Sequence, residues 1–403
     1  MALLKDLSTY TELKELFLIK IDNYDTHENF YGSKIAQQLE IEFIKSLLDY
    51  KKMLGDYSIY HIAGGKYALL LTQDQALPKA TVTEFCLLFG EDVKKNIYTF
   101  QEYNFDVNIT MSFSTNSSTL YEDANAILSE AISQKKEFLL STDVLTQIKD
   151  ALKENLSMHK TIKIALENDK ISPYYQPIFN MKTNRLNRYE ALVRMIDENG
   201  KLIPPGPYFL EVAKKGKLYS QVTKVLFDKV LAKIRKHDCE ISVNLSSLDI
   251  EDHMMSEHLL SLLEANRDIT HNLIFELLED KDTQDYDYVK SFINRARAFG
   301  VKIAIDDFGS GYSNFIRIIE FQPDIIKIDG SLVEDIANCD SNRKTVEAIK
   351  IFSDKIGAKT VAEYVTNQVT YDIISEIGID YAQGFHIGKP EPELISEVAL
   401  ETV

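Results

Sequence analysis

Two adjacent carboxylates, Asp306 and Asp307, end a short apolar run, Val301–Ile305, and directly precede a loop with two glycines. The run is rich in β-branched residues, which is typical of a strand buried in a parallel sheet. An isolated Asp-Asp pair is most often a solvated turn. At the mouth of a buried strand, however, two like charges repel each other and are poorly solvated, so they need a cation or a proton between them. The pair therefore predicts a divalent-metal site.

Polar side chains also end the other predicted strands of the C-terminal half. They are Glu190, Asn244, Glu276 with Glu279, Lys327, Glu363 and Gln383. One polar strand end is usually a cap or a solvated loop residue, but so many consecutive strands are hard to explain in that way. Carboxylate and amide oxygens suit hard cations such as Mg²⁺ or Mn²⁺ better than zinc. Several carboxylates, with one Asp able to bridge, predict a two-metal site that activates water and stabilises the leaving oxygen of a phosphodiester.

The elements that must position these residues are strands alternating with helices. Eight strands are predicted: Ser172–Phe179, Arg188–Met195, Glu240–Ser246, Leu273–Leu278, Lys302–Asp306, Ile325–Ile328, Lys359–Tyr364 and Asp380–Ile387. Three of the helical stretches end in a glycine, Gly300, Gly357 or Gly378, which is the usual helix stop. Eight strands and interleaved helices over about 240 residues predict an α/β TIM-like barrel with its chemistry at the carboxyl ends of the strands.

The N-terminal part mixes strands and helices and predicts a smaller α+β domain. Phe17–Ile21 and Phe105–Phe113 predict strands, and Gly32–Met53 predicts a helix. A β-hairpin is predicted over Tyr57–Leu71, with its turn at Ala63–Lys66.

Apolar residues then recur at helical spacing, which predicts a helical linker. We therefore expect a first domain at residues 1–142, a linker at 143–157 and the barrel at 158–403.

The 403 residues carry a formal net charge of -17, which argues against DNA, RNA or an anionic membrane surface as a general partner. Cys86, Cys239 and Cys339 are far apart, and each is more typical of a buried apolar residue than of a nucleophile. No apolar run reaches membrane-spanning length, and no signal-peptide pattern is present. We expect a cytoplasmic protein; the alternative is a soluble part of a longer, membrane-associated parent.

From about Met158 to Pro392 the sequence resembles the EAL domain, the family of cyclic di-GMP phosphodiesterases. The resemblance is carried by Tyr175-Gln176-Pro177-Ile178, Glu190-Ala191-Leu192, Val243-Asn244-Leu245-Ser246, Asp306–Ser313, Lys327-Ile328-Asp329, Ala362-Glu363 and Tyr381–Gly384. It implies a barrel with one antiparallel strand, hydrolysis of cyclic di-GMP to linear pGpG, and two Mg²⁺ or Mn²⁺ ions as cofactors.

The resemblance also implies roles for individual residues. Six would hold the cations: Glu190, Asn244, Glu276, Asp306, Asp307 and Glu363. Asp306 would bridge the two ions, and Lys327 would position or deprotonate the attacking water, which places Lys327, Glu190 and Glu363 in the catalytic set. Five residues would contact the substrate: Gln176, Leu192, Arg194, Gln383 and Gly384. Of these, Arg194 would meet a phosphate and Gln176 would lie near a guanine.

Glu279 would anchor the loop Phe308–Asn314, and that loop would couple the metals to a homodimer surface of the EAL domain. The chain departs from the family pattern beside this anchor, at Leu278 and Asp280. Further departures are Gly330 in place of the usual Arg, and Tyr364 and Thr366 in place of Gly and Glu. None of these departures removes an expected metal ligand.

The N-terminal domain resembles a degenerate GGDEF domain, the diguanylate cyclase partner commonly fused to EAL. The signature reads Ala63-Gly64-Gly65-Lys66-Tyr67, so Lys66 replaces an acidic residue on the metal side. Lys20 stands where the family has its first metal Asp, and Glu28 where it has a substrate-facing Asn, which leaves Asp22. The resemblance implies a domain without cyclase activity, with a regulatory or dimerising role.

A different class of function stays open at this point. An EAL fold can sense cyclic di-GMP as a non-catalytic receptor, and such members typically lose metal ligands or the lysine. This chain keeps the whole set, which favours the phosphodiesterase.

Overall fold

The computed structural model describes residues 3, 6–7, 13–73, 75–100, 103–115, 118–277, 286–309 and 319–396. The chain divides into two compact units, Met1–Glu154 and Asn155–Val403. Within the described ranges, no helix is long and apolar enough to cross a lipid bilayer.

Within its described residues, the first unit has seven strands: β1 (Leu13–Ile21), β2 (Tyr57–Ala63), β3 (Lys66–Gln73), β4 (Ile97–Phe100), β5 (Tyr103–Asp106), β6 (Ile109–Thr115) and β7 (Phe138–Leu140). Five of them form one sheet in the order β2-β3-β1-β6-β7, and β4 pairs with β5 in a separate ribbon. β1 runs antiparallel to both β3 and β6, and β7 runs parallel to β6. The predicted α+β class of this unit is confirmed.

The helices of the first unit are α1 (Tyr24–Tyr31), α2 (Ser33–Leu48), α3 (Lys51–Leu54), α4 (Lys79–Lys95) and α5 (Leu120–Ser133). They bury a core in which Phe17, Phe43, Phe85 and Phe89 are inaccessible to solvent. A long helix, α6 (Ser141–Glu167), begins in the first unit and ends in the second, and the predicted linker 143–157 falls inside it.

The predicted hairpin forms, with Ala63 paired to Lys66 across the turn. Two predictions for this unit need correction. The helix predicted over Gly32–Met53 is interrupted at Asp49 and Tyr50. The strand predicted over Phe105–Phe113 is two strands, because β5 pairs with β4 whereas β6 pairs with β1.

The strands of the second unit are β8 (Ile171–Asn180), β9 (Arg185–Ile196), β10 (Leu202–Ile203), β11 (Glu240–Leu245), β12 (Leu273–Leu277), β13 (Lys302–Phe308), β14 (Ile325–Ile328), β15 (Lys359–Ala362) and β16 (Tyr381–Gln383). The sheet order is β10-β9-β11-β12-β13-β14-β15-β16-β8, and a further pairing of β8 with β9 closes it. β8 is antiparallel to both of its neighbours, and the other barrel strands are parallel. The predicted eight-stranded barrel with one antiparallel strand is confirmed.

The helices of the second unit after α6 are α7 (Gly206–Lys215), α8 (Tyr219–His237), α9 (Ser247–Glu251), α10 (His253–Ala265), α11 (Tyr286–Ala298), α12 (Gly330–Glu334), α13 (Asp340–Ile356) and α14 (Gln368–Ile377). Gly357 and Gly378 follow α13 and α14 with φ angles of 80° and 85°, the left-handed conformation expected of a glycine helix stop. The parallel strands are buried on both faces, as in Ile325–Ile328, which explains their continuous apolar runs.

Two barrel strands, β15 and β16, end two or more residues before their predicted ends. β15 ends at Ala362 because Tyr364 takes a left-handed backbone with φ 57°. β16 ends at Gln383, because the chain passes against the backbone of Val365 at Gly384. A Cβ atom on Gly384 would lie only 2.2 Å from the Val365 carbonyl oxygen.

Candidate functional site

The strand-end residues lie one layer above an apolar layer inside the barrel. That layer is a buried cluster formed by Ile178, Ile274, Ala304, Ile325 and Val361. Four members of this cluster are each followed, two positions later, by a charged residue: Ile274 by Glu276, Ala304 by Asp306, Ile325 by Lys327 and Val361 by Glu363. Side chains two apart in a strand share a face, so the barrel interior changes from apolar to charged within one step. The charged layer is therefore at the carboxyl ends of the parallel strands.

Lys327 is the centre of this charged layer, and its side chain is only 2% exposed. Its Nζ lies 2.7 Å from Glu276 Oε2, 2.8 Å from Asp306 Oδ1, 2.7 Å from Glu363 Oε1 and 3.4 Å from Glu190 Oε2. Four strands thus deliver carboxylates to one ammonium group.

Glu190 is oriented by two side-chain amides. Asn244 donates to Glu190 Oε1 at 2.8 Å, and Gln383 donates to Glu190 Oε2 at 2.6 Å. Gln383 also donates to Gln176 Oε1 at 3.3 Å, which links the first and last strands of the barrel. The predicted residues Gln176, Glu190, Asn244 and Gln383 are therefore brought together in one network.

The Asp-Asp pair sits on a β-bulge. Ile305 pairs with Ile326, but Phe308 pairs with Ile328, so β13 has one more residue than β14 across this step. Asp307 takes a left-handed backbone with φ 52°, which Asp tolerates better than most residues. Regular alternation would send the two carboxylates to opposite faces, and a bulge re-aims a side chain. This explains how two neighbours in the chain reach one site.

Three carboxylates at this bulge have the geometry of a cation site. Asp306, Asp307 and Glu363 each offer an oxygen, and these oxygens lie within 4.8 Å of one another. Together with Glu190 and Glu276 they make five carboxylates around one lysine, which leaves four formal negative charges. Two divalent cations carry the same amount of positive charge. The donor set therefore fits the predicted Mg²⁺ or Mn²⁺ ions.

Two buried acceptors strengthen this fit. Gln383 Oε1 and Asp306 Oδ1 have no hydrogen-bond partner in the described part of the chain, and the contact of Asp306 with Lys327 is an ion pair without hydrogen-bond geometry. Buried polar atoms are normally satisfied, so lone acceptors in a carboxylate-rich site indicate a place for a cation or a donor from a ligand.

The carboxylates of the site differ in their acidity. Burial opposes the ionisation of Glu190, but Lys327 and the amides of Gln383 and Asn244 outweigh it and lower its pKa. Burial, with the charges of Glu190 and Asp306, holds the pKa of Glu276 well above its usual range. For Lys327, burial is outweighed by the four carboxylates, which hold its pKa well above the usual value. Lys327 is therefore a cation, which suits charge balance and orientation.

Two of the three carboxylates of this cation site, Asp307 and Glu363, are weak acids. Burial, with Asp306 and Asp329 as neighbours, raises the pKa of Asp307 to about 6. Burial raises the pKa of Glu363 to about 7, although Lys327 acts in the opposite direction. Both groups therefore gain from a nearby cation.

We expect the raised pKa of Glu363 to make the stability of the metal-free protein depend on pH. The pKa of Glu363 is about 7 in the folded chain against an ordinary value of 4.5, so its contribution to folding is largest at acidic pH and is lost as the pH rises through 7. Comparing the thermal midpoints of wild type and Glu363→Gln between pH 5.5 and 8 in EDTA isolates this group. The wild type should lose stability relative to the variant as the pH rises, and a constant difference would contradict the expectation.

A cavity of about 260 Å³ opens beside the carboxylates. Its walls contain the predicted residues Gln176, Glu190, Leu192, Glu363, Gln383 and Gly384. Arg194, the predicted phosphate contact, does not line it. Its guanidinium donates to the Val193 carbonyl oxygen at 2.9 Å and lies 5.9 Å from the centroid of the Tyr174 ring. The structure thus brings all but one of the predicted substrate contacts to this cavity.

The sequence reasoning missed three residues of the cavity wall: Tyr364, Thr366 and Phe385. Tyr364 is 53% exposed and Phe385 is 63% exposed, so both are large rings at the surface. Their positions directly after Glu363 and Gly384 were the available signal. A fourth missed residue, Asp329, caps α12 through Ser331 and acts on the pKa of Asp307.

The predicted loop anchor Glu279 lies outside the described residues, as do residues 310–314 of the loop that it would hold. The coupling of this loop to the metals stays a prediction.

The hairpin of the first unit is explained by packing. The Tyr24 side chain lies against the turn, and a Cβ atom on Gly64 or Gly65 would approach it to 2.6 or 2.7 Å. Lys20 and Lys66 are paired directly across β1 and β3, and burial, with the charge of Lys20, lowers the pKa of Lys66. The two glycines are thus explained by the packing of Tyr24 on the turn, and Lys66 follows them directly.

The fold and this site define a class: a (β/α) barrel with a carboxylate centre for hard cations at the carboxyl ends of its strands. Residues 159–390 match the EAL domain family, and the chain belongs to that family.

Two curated relatives illustrate the match. The cyclic di-GMP phosphodiesterase PdeA of Borreliella burgdorferi is 30% identical over 246 residues, which cover 60% of this chain and 37% of PdeA. MucR of Pseudomonas aeruginosa, a bifunctional diguanylate cyclase/cyclic di-GMP phosphodiesterase, is 24% identical over 400 residues, which cover 95% of this chain and 57% of MucR. The chain thus spans little more than a third of one relative and just over half of the other.

Solved structures show the same fold. The phosphodiesterase PaMucR in complex with c-di-GMP has a TM-score of 0.55 and 28% identity, covering 59% of this chain and 98% of that one. Bacillus subtilis YkuI, an EAL protein in complex with c-di-GMP and calcium, has a TM-score of 0.51 and 26% identity, covering 60% of this chain and 58% of that one. The S helix-GGDEF-EAL segment of Vibrio cholerae LapD matches 96% of this chain and 92% of that one at a TM-score of 0.53; its 16% identity supports the fold alone.

Proposed function

We propose that the barrel hydrolyses cyclic di-GMP to linear pGpG with the help of two divalent cations. The observation that carries this proposal is the convergence of four carboxylates on Lys327, with Asp307 clustered beside two of them, next to the 260 Å³ cavity. The family membership and the names of the relatives support the choice of substrate.

The cations would be held by the predicted set: Glu190, Asn244, Glu276, Asp306, Asp307 and Glu363. Bound there, they would supply Lewis-acid activation of water and stabilise the negative charge of the leaving oxygen.

The residues of the chain would do the positioning. Asn244 and Gln383 hold Glu190 in one orientation, so its carboxylate need not reorganise when a ligand arrives. Lys327 holds the other carboxylates at distances that keep them convergent, and as an ammonium group it would orient the attacking water. The cavity would take one nucleotide, with Gln176 at its wall.

Incubation of the full chain with cyclic di-GMP and Mg²⁺ or Mn²⁺, followed by chromatography, tests the proposal. We expect pGpG to accumulate, EDTA to stop the reaction, and added metal to restore it. Equilibrium binding is measured in parallel with Ca²⁺. Binding without hydrolysis under all metals would instead identify the non-catalytic receptor, the alternative that the sequence left open.

For the first unit we propose a regulatory role without cyclase activity. A cyclase must hold Mg²⁺ against a triphosphate, and one carboxylate rarely does so without help. Here Asp22 accepts a hydrogen bond from Thr110, and the paired lysines Lys20 and Lys66 repel a cation. The adjoining cavity of about 440 Å³ is lined by further lysines, Lys94, Lys135 and Lys136, which suit an anion better than a metal.

The full chain carrying Glu363→Gln tests this role, because the variant would preserve any cyclic di-GMP that the first unit makes. We expect none to form from GTP and Mg²⁺, because Lys20 and Lys66 would repel a metal ion beside Asp22. Sustained synthesis would contradict the assignment. A change in the hydrolysis rate of the wild-type chain on addition of GTP would identify the first unit as a sensor.

We also propose the domain boundaries 1–142, 143–157 and 158–403, and a homodimer through the EAL domain. Light scattering of the full chain over a range of concentrations measures the dimer. A mass of one chain at every concentration would contradict it.

A further inference from the structure

Tyr364 combines three unusual features at the cavity. It takes a left-handed backbone with φ 57°, it follows Glu363 directly, and its large side chain is 53% exposed. A left-handed conformation is strained for a non-glycine residue, and such strain persists where the surrounding structure enforces it. Strain of this kind clusters at functional sites, so the position of Tyr364 needs an explanation.

The backbone on both sides of Tyr364 is fixed. Glu363 N donates to the Ile328 carbonyl at 3.3 Å, Val365 N donates to Gln383 O at 3.0 Å, and His386 N donates to Val365 O at 3.0 Å. Val365 is fully buried. These bonds determine where the Cβ atom of Tyr364 lies, so the side chain leaves the backbone toward the cavity wall in one direction.

Gly330 makes room for this arrangement. A Cβ atom at position 330 would lie 2.8 Å from Tyr364 Cβ and 3.3 Å from Tyr364 Cγ. Gly330 has an ordinary negative-φ backbone, so glycine is not needed there for its conformational freedom. Because Cβ is attached to a fixed backbone, it cannot move aside as a side-chain end can. Gly330 and Tyr364 both depart from the family pattern. They form a coupled pair, because a side chain at position 330 would collide with Tyr364.

The cavity wall carries two kinds of surface. Leu192, Tyr364 and Phe385 provide apolar and aromatic surface, whereas Glu190 and Glu363 provide carboxylates and Gln383 an amide. A planar base attached to a phosphodiester matches both kinds of surface. Aromatic rings bind bases by stacking, which is tolerant of base identity because every base has a π-face.

We propose that Tyr364 is a ligand-binding residue of this chain that stacks on a base of the ligand, in a conformation for which Gly330 makes room. The inference rests on the proposed function, since it assigns the wall that would hold one base of cyclic di-GMP while the phosphodiester meets the carboxylates.

The first experiment measures the affinity for cyclic di-GMP in Ca²⁺ and the steady-state constants in Mg²⁺ for Tyr364→Gly and Tyr364→Phe. Loss of one stacked base should raise Kd and KM roughly ten- to a hundred-fold in Tyr364→Gly, while kcat at saturation stays near the wild-type value. Tyr364→Phe should recover most of the affinity, because the ring remains. The exposed residue Ile351 on α13 provides the control, Ile351→Ala, with unchanged constants.

The thermal midpoint separates a binding role from a structural one. Glycine adopts a left-handed backbone without strain, so Tyr364→Gly should keep or raise the midpoint while it loses affinity. A packing role would lower the midpoint together with the affinity, and that result would overturn the proposal.

The coupled pair gives an independent test. Gly330→Ala should weaken ligand binding in the wild-type background, because the added methyl group would collide with Tyr364 Cβ and force a shift of the backbone that carries the ring. In the Tyr364→Gly background the same change should have no further effect, so the two losses are not additive. Gly90→Ala on α4 is the matched control, since its nearest neighbours would lie 3.8 Å away. Additive losses would overturn the coupling.

The outcomes distinguish this inference from the proposed function. Wild-type affinity in Tyr364→Gly, with normal hydrolysis, overturns the role of Tyr364 and leaves the enzyme intact. Binding that depends on Tyr364, without hydrolysis by the wild type, supports the role and overturns the enzyme. A wild type that neither binds nor hydrolyses cyclic di-GMP overturns both.

Discussion

Replacing Asp306 by asparagine should reduce the hydrolysis of cyclic di-GMP to below about one per cent of the wild-type rate. The change keeps the size of the side chain but removes one of the charges that would offset the cations. Mutating a residue that only hydrogen-bonds to a metal ligand typically lowers metal affinity or activity 10–100-fold. Mutating a ligand that would bridge both cations should therefore lower activity further. The measurement is kcat in saturating Mg²⁺ and Mn²⁺, with metal affinity followed by calorimetry in the absence of substrate.

Glu240→Gln is the matched control for this change. Glu240 is also a partly buried barrel carboxylate, but it begins β11, where it pairs with Arg188 at 2.6 Å, and it is not part of the charged layer. Its loss should lower stability and spare turnover. If Asp306→Asn turned over at the wild-type rate, or if EDTA failed to inhibit the wild type, the two-metal proposal would be wrong.

Much of this site follows from local pattern. Ile274, Ala304 and Ile325 each stand two positions before a charged residue. The same strand face is therefore apolar inside the barrel and charged at its mouth. Strand count and helix-stopping glycines were predictable for the same reason, because a barrel repeats one unit. The one antiparallel strand breaks that repeat, and only the resemblance to the EAL family implied it. The predicted eighth strand was too long because its end depends on the close approach of Gly384 to Val365, which are distant in sequence.

The parts that could not be predicted depend on contacts between strands. The bulge that turns Asp306 and Asp307 toward one site appears only in the register of β13 against β14. The strained backbone of Tyr364 depends on hydrogen bonds to two other segments, at Ile328 and at residues 383–386. Arg194 and Tyr364 illustrate this limit. The family resemblance implied a ligand contact for Arg194, which donates to the Val193 carbonyl oxygen and does not line the cavity. Tyr364 does line the cavity, although the resemblance implied no contact for it.

Replacing Lys327 by methionine should have the second large effect, on stability as well as turnover. The methionine fills similar space but removes the cation that four carboxylates surround, and leaving buried charges without their partner costs about 3–5 kcal/mol. For a unit of this size the thermal midpoint in EDTA should fall by roughly 10 °C. Saturating Mg²⁺ should restore more stability to the variant than to the wild type, because the metal supplies the missing positive charge.

Turnover by Lys327→Met should fall much more than ligand affinity, because the attacking water loses its orienting group. Lys350→Met is the control: Lys350 is another buried lysine of the barrel, paired with Asp380 at 3.1 Å and Asp354 at 2.6 Å. That variant should lose stability without rescue by Mg²⁺ and should keep its turnover. If instead the affinity of Lys327→Met collapsed while bound substrate still turned over, Lys327 would be a binding residue. Metal-independent destabilisation in both variants would show that Lys327 has only a structural role, because a group that shares its carboxylates with cations must respond to them.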